Sequence, residues 1–117
     1  EIGTENGRGG VRELSLVKQL AQRIKADKRL NLIGVTGFEG AVPDAARGRR
    51  GEKKISKFCQ KIVAAAELAY PYKSDQPFVI SAGGSAYFDI VARELNKFEK
   101  PRRLLLRSGG YITHDHK

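Results

Sequence analysis

The chain has 117 residues, of which 40% are hydrophobic and 30% charged, and its formal net charge is +9. This length suffices for one modest domain with a hydrophobic core. No apolar run approaches the roughly 20 residues that a membrane helix needs, and no signal-peptide pattern is visible. A single cysteine, Cys59, cannot form an internal disulfide. Together these features predict a cytoplasmic protein without a membrane span.

The first residue is Glu1 and the sequence contains no methionine. This indicates an internal fragment of a longer protein, or a sequence from which methionines are missing. The positive charge raises the possibility of nucleic-acid binding. Its two clusters are Arg47, Arg49, Arg50, Lys53 and Lys54, and Lys97, Lys100, Arg102 and Arg103. Because no aromatic residues alternate with these cations to stack on bases, nucleic-acid binding is the less favoured interpretation. Acidic partners lost with the rest of a parent chain would explain the charge equally well.

Hydrophobic periodicity predicts strands alternating with helices. In the first helix Leu14, Val17 and Ala21 recur at spacings of three and four, and Pro71 ends the second helix. In chain order, the predicted elements are a strand end at 1–6, a helix at 11–25, a buried strand at 30–38, a polar loop at 43–51, a helix at 52–69, a strand at 77–81, a helix at 87–97 and a strand at 103–107. The pattern predicts a single partial α/β domain over residues 1–117, with four parallel strands. Four such strands are half of a (β/α)8 barrel or one side of an open doubly wound sheet.

Glycine clusters follow the last two predicted strands, at residues 81–85 and 107–111. In parallel α/β folds ligands bind at the carboxyl ends of strands, where glycine lets the backbone approach a ligand closely. A helix that begins just after such a cluster adds the positive end of its dipole, which favours a phosphate. Tight strand-to-helix turns also require glycine. Two successive clusters separated by one helix favour a shared phosphate site over simple turns.

Four segments in order resemble a known family. They read EIGTENGRGGV at 1–11, LIGVTGFEG at 32–40, ISAGGSAYFD at 80–89 and LLRSGGYITHD at 105–115. The set resembles strand ends of the fold-type III pyridoxal-phosphate enzymes, which include alanine racemase, D-threonine aldolase and the D-serine dehydratase-like amino-acid deaminases. The resemblance spans nearly the whole chain. It implies strands five to eight of a TIM (β/α)8 barrel.

The resemblance implies pyridoxal 5'-phosphate as cofactor and nine residues that bind it: Arg8, Ser81, Gly83, Gly84, Ser85, Arg107, Gly109, Gly110 and Tyr111. The first glycine cluster, with Ser85, would hold the phosphate, and the second would donate backbone N–H groups to it. Arg8 would lie near the phenolic oxygen, Arg107 would face the pyridine nitrogen, and Tyr111 would flank the site. Since arginine stays protonated and only donates, it would leave the ring nitrogen unprotonated and the cofactor a weaker electron sink.

The family's Schiff-base lysine lies on the first barrel strand, and no lysine here stands in a matching motif. The resemblance therefore implies a parent enzyme that deaminates, cleaves or racemises D-amino acids, and a chain that contains no catalytic residue and is inactive alone. A half-barrel exposes sheet edges and an inner face, so we expect a homo-oligomer. A non-catalytic phosphate- or nucleotide-binding α/β domain, or a basic nucleic-acid-binding module, are the alternatives.

Four further residues invite a chemical role that the sequence does not favour. His114 and His116 are too few for a closed metal site, so we predict no metal. Cys59 stands among apolar helix residues and is interpreted as buried filler. Glu39 follows a strand and is interpreted as a loop charge rather than a catalytic group.

Overall fold

The fold is built on a parallel sheet of three strands in the order β1, β2, β3. The computed structural model describes residues 1–5, 7, 9–46, 48–83, 85–107 and 109–110. The elements are α1 (Leu14–Ala26), β1 (Gly34–Thr36), α2 (Arg49–Ala69), β2 (Val79–Ala82), α3 (Phe88–Leu95) and β3 (Arg103–Leu106). Single turns of 3-10 helix occupy Glu39–Ala41, Tyr70–Tyr72 and Ser85–Tyr87. The predicted α/β class with parallel strands is confirmed.

One face of the sheet is covered by the helices. Val35 and Ile80 are buried in register with each other, and Leu104 packs partly buried beside them. Gly37, at the end of β1, lies so close to α2 that an added Cβ would stand 2.5 Å from Ile62 Cδ1. All three helices contribute buried residues to this one core. Strands that advance in one direction, with their crossovers on one face, form a singly wound sheet rather than a doubly wound one.

The opposite face, which we call the open face, carries the next residues in register. Thr36 pairs with Ser81, and Ser81 pairs with Leu105. Leu105 is 51% exposed. Because side chains alternate along a strand, these residues point away from the helical core. In the described part of the chain, no helix belongs to the open face.

A fourth strand was expected at residues 1–6, and this prediction is wrong. Among the described residues of this segment only Ile2 pairs with the sheet, through a parallel bridge to Gly37 and a 2.7 Å hydrogen bond from its N–H to the carbonyl of Thr36. Ile2 also bridges Val11. Gly10 turns the chain between them with a φ of 110°, which a side chain would strain. The sheet is thus extended by a single residue pair beyond β1, where a full strand was expected.

Two predicted boundaries change for local reasons. The first helix was expected from residue 11, but Val11 is held by its bridge to Ile2 and α1 begins at Leu14. The second helix was expected from residue 52, but α2 begins at Arg49, within the predicted loop. The N–H of Glu52 already donates to the carbonyl of Gly48 at 2.9 Å, which closes the first helical turn.

The predicted buried strand at 30–38 is only partly correct. Strand β1 comprises three residues, and Leu30 and Ile33 before it are 53% and 50% exposed. Both precede the first residue pair of the ladder, although the carbonyl of Ile33 accepts a 2.8 Å hydrogen bond from the N–H of Val79 at the start of β2. The other two strands lie within two residues of their predicted bounds.

Three aromatic rings close the core at the amino ends of the strands. Tyr70, Phe78 and Phe98 contact each other with centroid separations of 5.2 to 5.8 Å. Phe78 and Phe98 are almost fully buried. Each ring of this trio follows a helix or precedes a strand, so the trio joins α2, α3 and β2. Among the described residues, no helix has the length and apolar character needed to cross a bilayer.

Candidate functional site at the carboxyl ends of the strands

Arg107 joins the carboxyl ends of all three strands. Its Nε donates to Ser81 Oγ at 2.9 Å, and its Nη2 donates to Thr36 Oγ1 at 3.0 Å and to the carbonyl oxygen of Gly37 at 2.7 Å. Its backbone N–H continues the ladder to the carbonyl of Ala82 at 3.3 Å. The guanidinium group therefore lies across the open face, held by acceptors from β1 and β2.

All the side-chain acceptors of Arg107 are neutral. Within the described part of the chain, Arg107 forms no ion pair, so no carboxylate compensates its charge. Arginine has five N–H donors in a planar fork, and the hydrogen bonds above use three of them. The two donors on Nη1 contact no acceptor among the described residues. The arrangement fixes a cation on the exposed side of the sheet and leaves it able to bind an electronegative ligand atom.

Ser81 is buried in the sheet and supports this arginine. Its hydroxyl donates to the carbonyl of Leu105 at 2.9 Å while it accepts from Arg107. Ser81 is 5% exposed. The single hydroxyl proton is therefore directed at β3, which makes Ser81 a group that orients the arginine.

Gly83 is required for the close approach of β2 and β3. A Cβ at this position would stand 2.6 Å from the backbone nitrogen of Arg107 and 2.9 Å from its Cα. The sequence pattern explained Gly83 by approach to a phosphate, and the structure adds packing against Arg107 as a sufficient cause. Gly109 differs, because a Cβ there would meet no atom within 4 Å.

The N-terminal segment reaches the same edge of the sheet. Thr4 is buried, and its Oγ1 donates to the carbonyl of Ala41 at 3.1 Å. Arg12 Nε donates to the carbonyl of Thr4 at 3.1 Å, and Arg12 Nη2 donates to that of Gly7 at 3.0 Å. These bonds hold the start of the chain against the turn that follows β1.

The structure brings together only part of the predicted cofactor site. Ser81, Gly83 and Arg107 are in direct contact. The backbone of Ser85 begins the 3-10 turn that leads into α3, and Gly109 and Gly110 follow closely on β3. The remaining predicted residues lie outside the described residues: Arg8, Gly84 and Tyr111.

Thr36 belongs to the site and was missed by the sequence reasoning. The available signal was the hydroxyl group of this residue, which stands in a mostly apolar predicted strand two positions before Phe38. Glu39 was interpreted as a loop charge, and it does lie in the turn after β1. It is fully buried there, where this turn packs against the turn Ser85–Tyr87.

Cys59 is not a reactive thiol. It is fully buried in α2, which confirms the interpretation as core filler. Burial, with the negative charges of Glu39 and Glu94, raises the pKa of Cys59 to about 12. The described residues contain no group of three potential metal ligands, and His114 and His116 lie outside them.

Comparison with protein-family models, with curated proteins and with solved structures gives no match to the chain.

Proposed function

We propose that the chain forms the cofactor-binding second half of a pyridoxal-5'-phosphate-dependent (β/α)8 barrel that acts on D-amino acids by deamination, aldol cleavage or racemisation. The observation that carries the proposal is the arginine fixed by neutral acceptors across three strand ends, two residues before a glycine pair. A singly wound sheet with its helices on one face is also what a segment of such a barrel requires.

Arg107 fits the nitrogen of a pyridine ring. An unprotonated ring nitrogen accepts a hydrogen bond, and Nη1 of Arg107 offers two N–H groups on the open face. The neutral acceptors fix the guanidinium plane without neutralising it. Because arginine does not give up its proton, the proton would stay on Nη1 and the ring nitrogen would remain unprotonated.

The glycine-rich ends fit a phosphate at the same edge. Gly83 allows the ends of β2 and β3 to converge, and no atom of the described residues lies within 4 Å of a Cβ added at Gly109. The turn Ser85–Tyr87 leads directly into α3, whose amino end adds a partial positive charge. Together these features would place a phosphate beside the ring position that Arg107 defines.

Arg107, Ser81 and Thr36 would each have a positioning role in the reaction. When bound, pyridoxal 5'-phosphate stabilises negative charge at the α-carbon of an amino acid. Arg107 would hold the ring in orientation and limit how much charge it withdraws, while Ser81 and Thr36 would hold Arg107. The amine that binds the cofactor covalently would come from a lysine outside these 117 residues.

The open face is suited to bind a second copy of the chain when the chain is isolated. Leu105 on this face is 51% exposed, and β3 has an unpaired edge among the described residues. Such a surface favours self-association. We therefore propose a homo-oligomer, which light scattering would detect as a mass above the 12.9 kDa of one chain. A stable monomer would contradict it.

Binding of pyridoxamine 5'-phosphate tests the proposed function. This probe carries the ring and the phosphate but, being an amine, forms no Schiff base with surface lysines. Calorimetric titration would compare the native chain with Arg107→Met. Since a hydrogen bond to a charged group contributes about 1.5–3 kcal/mol, we expect the variant to bind about 10- to 160-fold more weakly.

Arg103→Met is the matched control, because Arg103 is an exposed arginine four residues earlier on β3. Its loss should change the affinity less than about twofold, as expected for an exposed charge outside the site. Equal affinities of native chain and Arg107→Met would contradict the proposed role. If inorganic phosphate then displaced the probe completely, the chain would be a phosphate-binding domain without a pyridine site.

A further inference from the structure

A row of cations runs along the exposed side of α2. Arg49, Lys53 and Lys57 are four residues apart and all exposed. At about 1.5 Å per residue they span about 12 Å of rigid helix. The sequence pattern places Arg49 in a loop, so the row becomes apparent only because α2 begins earlier than its hydrophobic periodicity indicates.

The row forms one wall of a groove between α2 and α3, of about 490 Å³. Its lining consists of six residues of α2 and one of α3: Arg49, Glu52, Lys53, Ser56, Lys57, Gln60 and Arg93. Arg93 Nη2 donates to Ser56 Oγ at 3.2 Å, which joins the two helices across the groove. Four cations and one carboxylate thus face the same space.

The positive charge of the groove is only partly compensated. Among the residues that the structure describes, none of Arg49, Lys53 and Lys57 forms an ion pair. Arg93 contacts Glu94 at 3.4 Å, but that carboxylate is also bound by Lys97 at 2.8 Å. Like charges held this close repel each other, so a polyanion in the groove would relieve the repulsion.

We propose that this groove binds the phosphate backbone of a nucleic-acid duplex, independently of any pyridoxal site. A row of about 12 Å exceeds the reach of one phosphate, whereas a duplex presents a charge about every 1.7 Å of its axis. Large apolar residues of α2 are all buried or partly buried, which disfavours an amphipathic contact with a membrane. The lining contains no aromatic residue for base stacking, so the contact is with the backbone and independent of sequence.

The test measures binding of a fluorescein-labelled 20-base-pair DNA duplex by fluorescence anisotropy between 50 and 200 mM KCl. Three to four phosphate contacts give a slope of log affinity against log salt of about −2.7 to −3.6, a loss of about 40- to 150-fold over this range. In the triple variant Arg49→Gln, Lys53→Gln, Lys57→Gln, the magnitude of the slope should be smaller by about 2.7. Circular dichroism of each variant verifies the fold.

The matched control removes three exposed lysines from the region of α1: Lys18→Gln, Lys25→Gln and Lys28→Gln. The net charge changes equally, so only location differs, and this control should retain most of the native slope. Undetectable binding at 50 mM KCl overturns the proposal, as does an equal loss in both triple variants. Binding to vesicles with acidic headgroups or to a polyglutamate peptide, without binding to the duplex, overturns it as well.

Discussion

Substitution of Gly83 by alanine tests whether β2 and β3 must converge for the site to form. The added Cβ would stand 2.6 Å from the backbone nitrogen of Arg107 and 2.9 Å from its Cα, closer than carbon atoms pack. Since both contacts are with the main chain at a strand end, β3 must shift away, which strains the 3.3 Å bond from Arg107 to Ala82. Overpacking of this kind costs about 1–3 kcal/mol of unfolding free energy.

Urea denaturation followed by circular dichroism measures this cost, and the affinity for pyridoxamine 5'-phosphate measures the effect on the site. Gly109→Ala is the matched control, because its Cβ would meet no atom within 4 Å. We expect the control to change the unfolding free energy by less than about 0.5 kcal/mol. If Gly83→Ala were as stable as Gly109→Ala, the inferred close packing of the two strand ends would be refuted.

Three further substitutions test other parts of the structure by denaturation. Ser81→Ala should lower the unfolding free energy by about 1–3 kcal/mol, because it removes an acceptor of Arg107 and a buried hydroxyl donor. Because the folded pKa of Cys59 is raised from 9.0 to about 12, the native state retains a proton that the unfolded state loses, and stability falls as pH rises from 9 towards 12. Cys59→Ala should make this fall shallower, and an unchanged slope would contradict the assignment. Burial alone raises the pKa of Glu94, but the hydrogen bonds and charges of Lys97 and Arg93 together outweigh it and hold the pKa below its usual value of 4.5. Glu94→Gln should therefore cost about 1 kcal/mol at pH 7, and the cost should shrink as the pH falls from 4.5, where the unfolded carboxyl is protonated, and vanish below the lowered native pKa, where the native carboxylate is protonated as well.

The alternation of strands and helices was predictable because apolar spacing reports which face of an element is buried. The spacing of Val17 and Ala21 identifies α1, and that of Ile55, Phe58 and Ile62 identifies α2. The lengths of the strands were less predictable, because each strand pairs only as far as its neighbouring strand extends. Ile33 is as apolar as Val35, yet it lies at the very end of the ladder and is exposed.

The chemistry of the site was partly predictable from residue types, but its geometry was not. Arg107 and Gly83 stand out beside the glycine clusters, whereas their mutual contact joins residues 24 positions apart. Thr36 is 71 positions from Arg107 and is connected to it only by the register of three strands. Glu39 could not be identified as buried, because sequence gives no sign of how the turns after β1 and β2 pack.

The aromatic trio and the arginine network lie at opposite ends of the same strands. Tyr70, Phe78 and Phe98 anchor the amino ends with contacts that do not involve the open face. Residues at the carboxyl ends can therefore change during evolution while the anchoring contacts persist. A duplicated gene could acquire a new ligand preference through a few substitutions around Arg107 and Thr36 while its descendants keep a folded protein. Selection could therefore change the ligand specificity at the carboxyl ends of the strands almost independently of the stability of the fold.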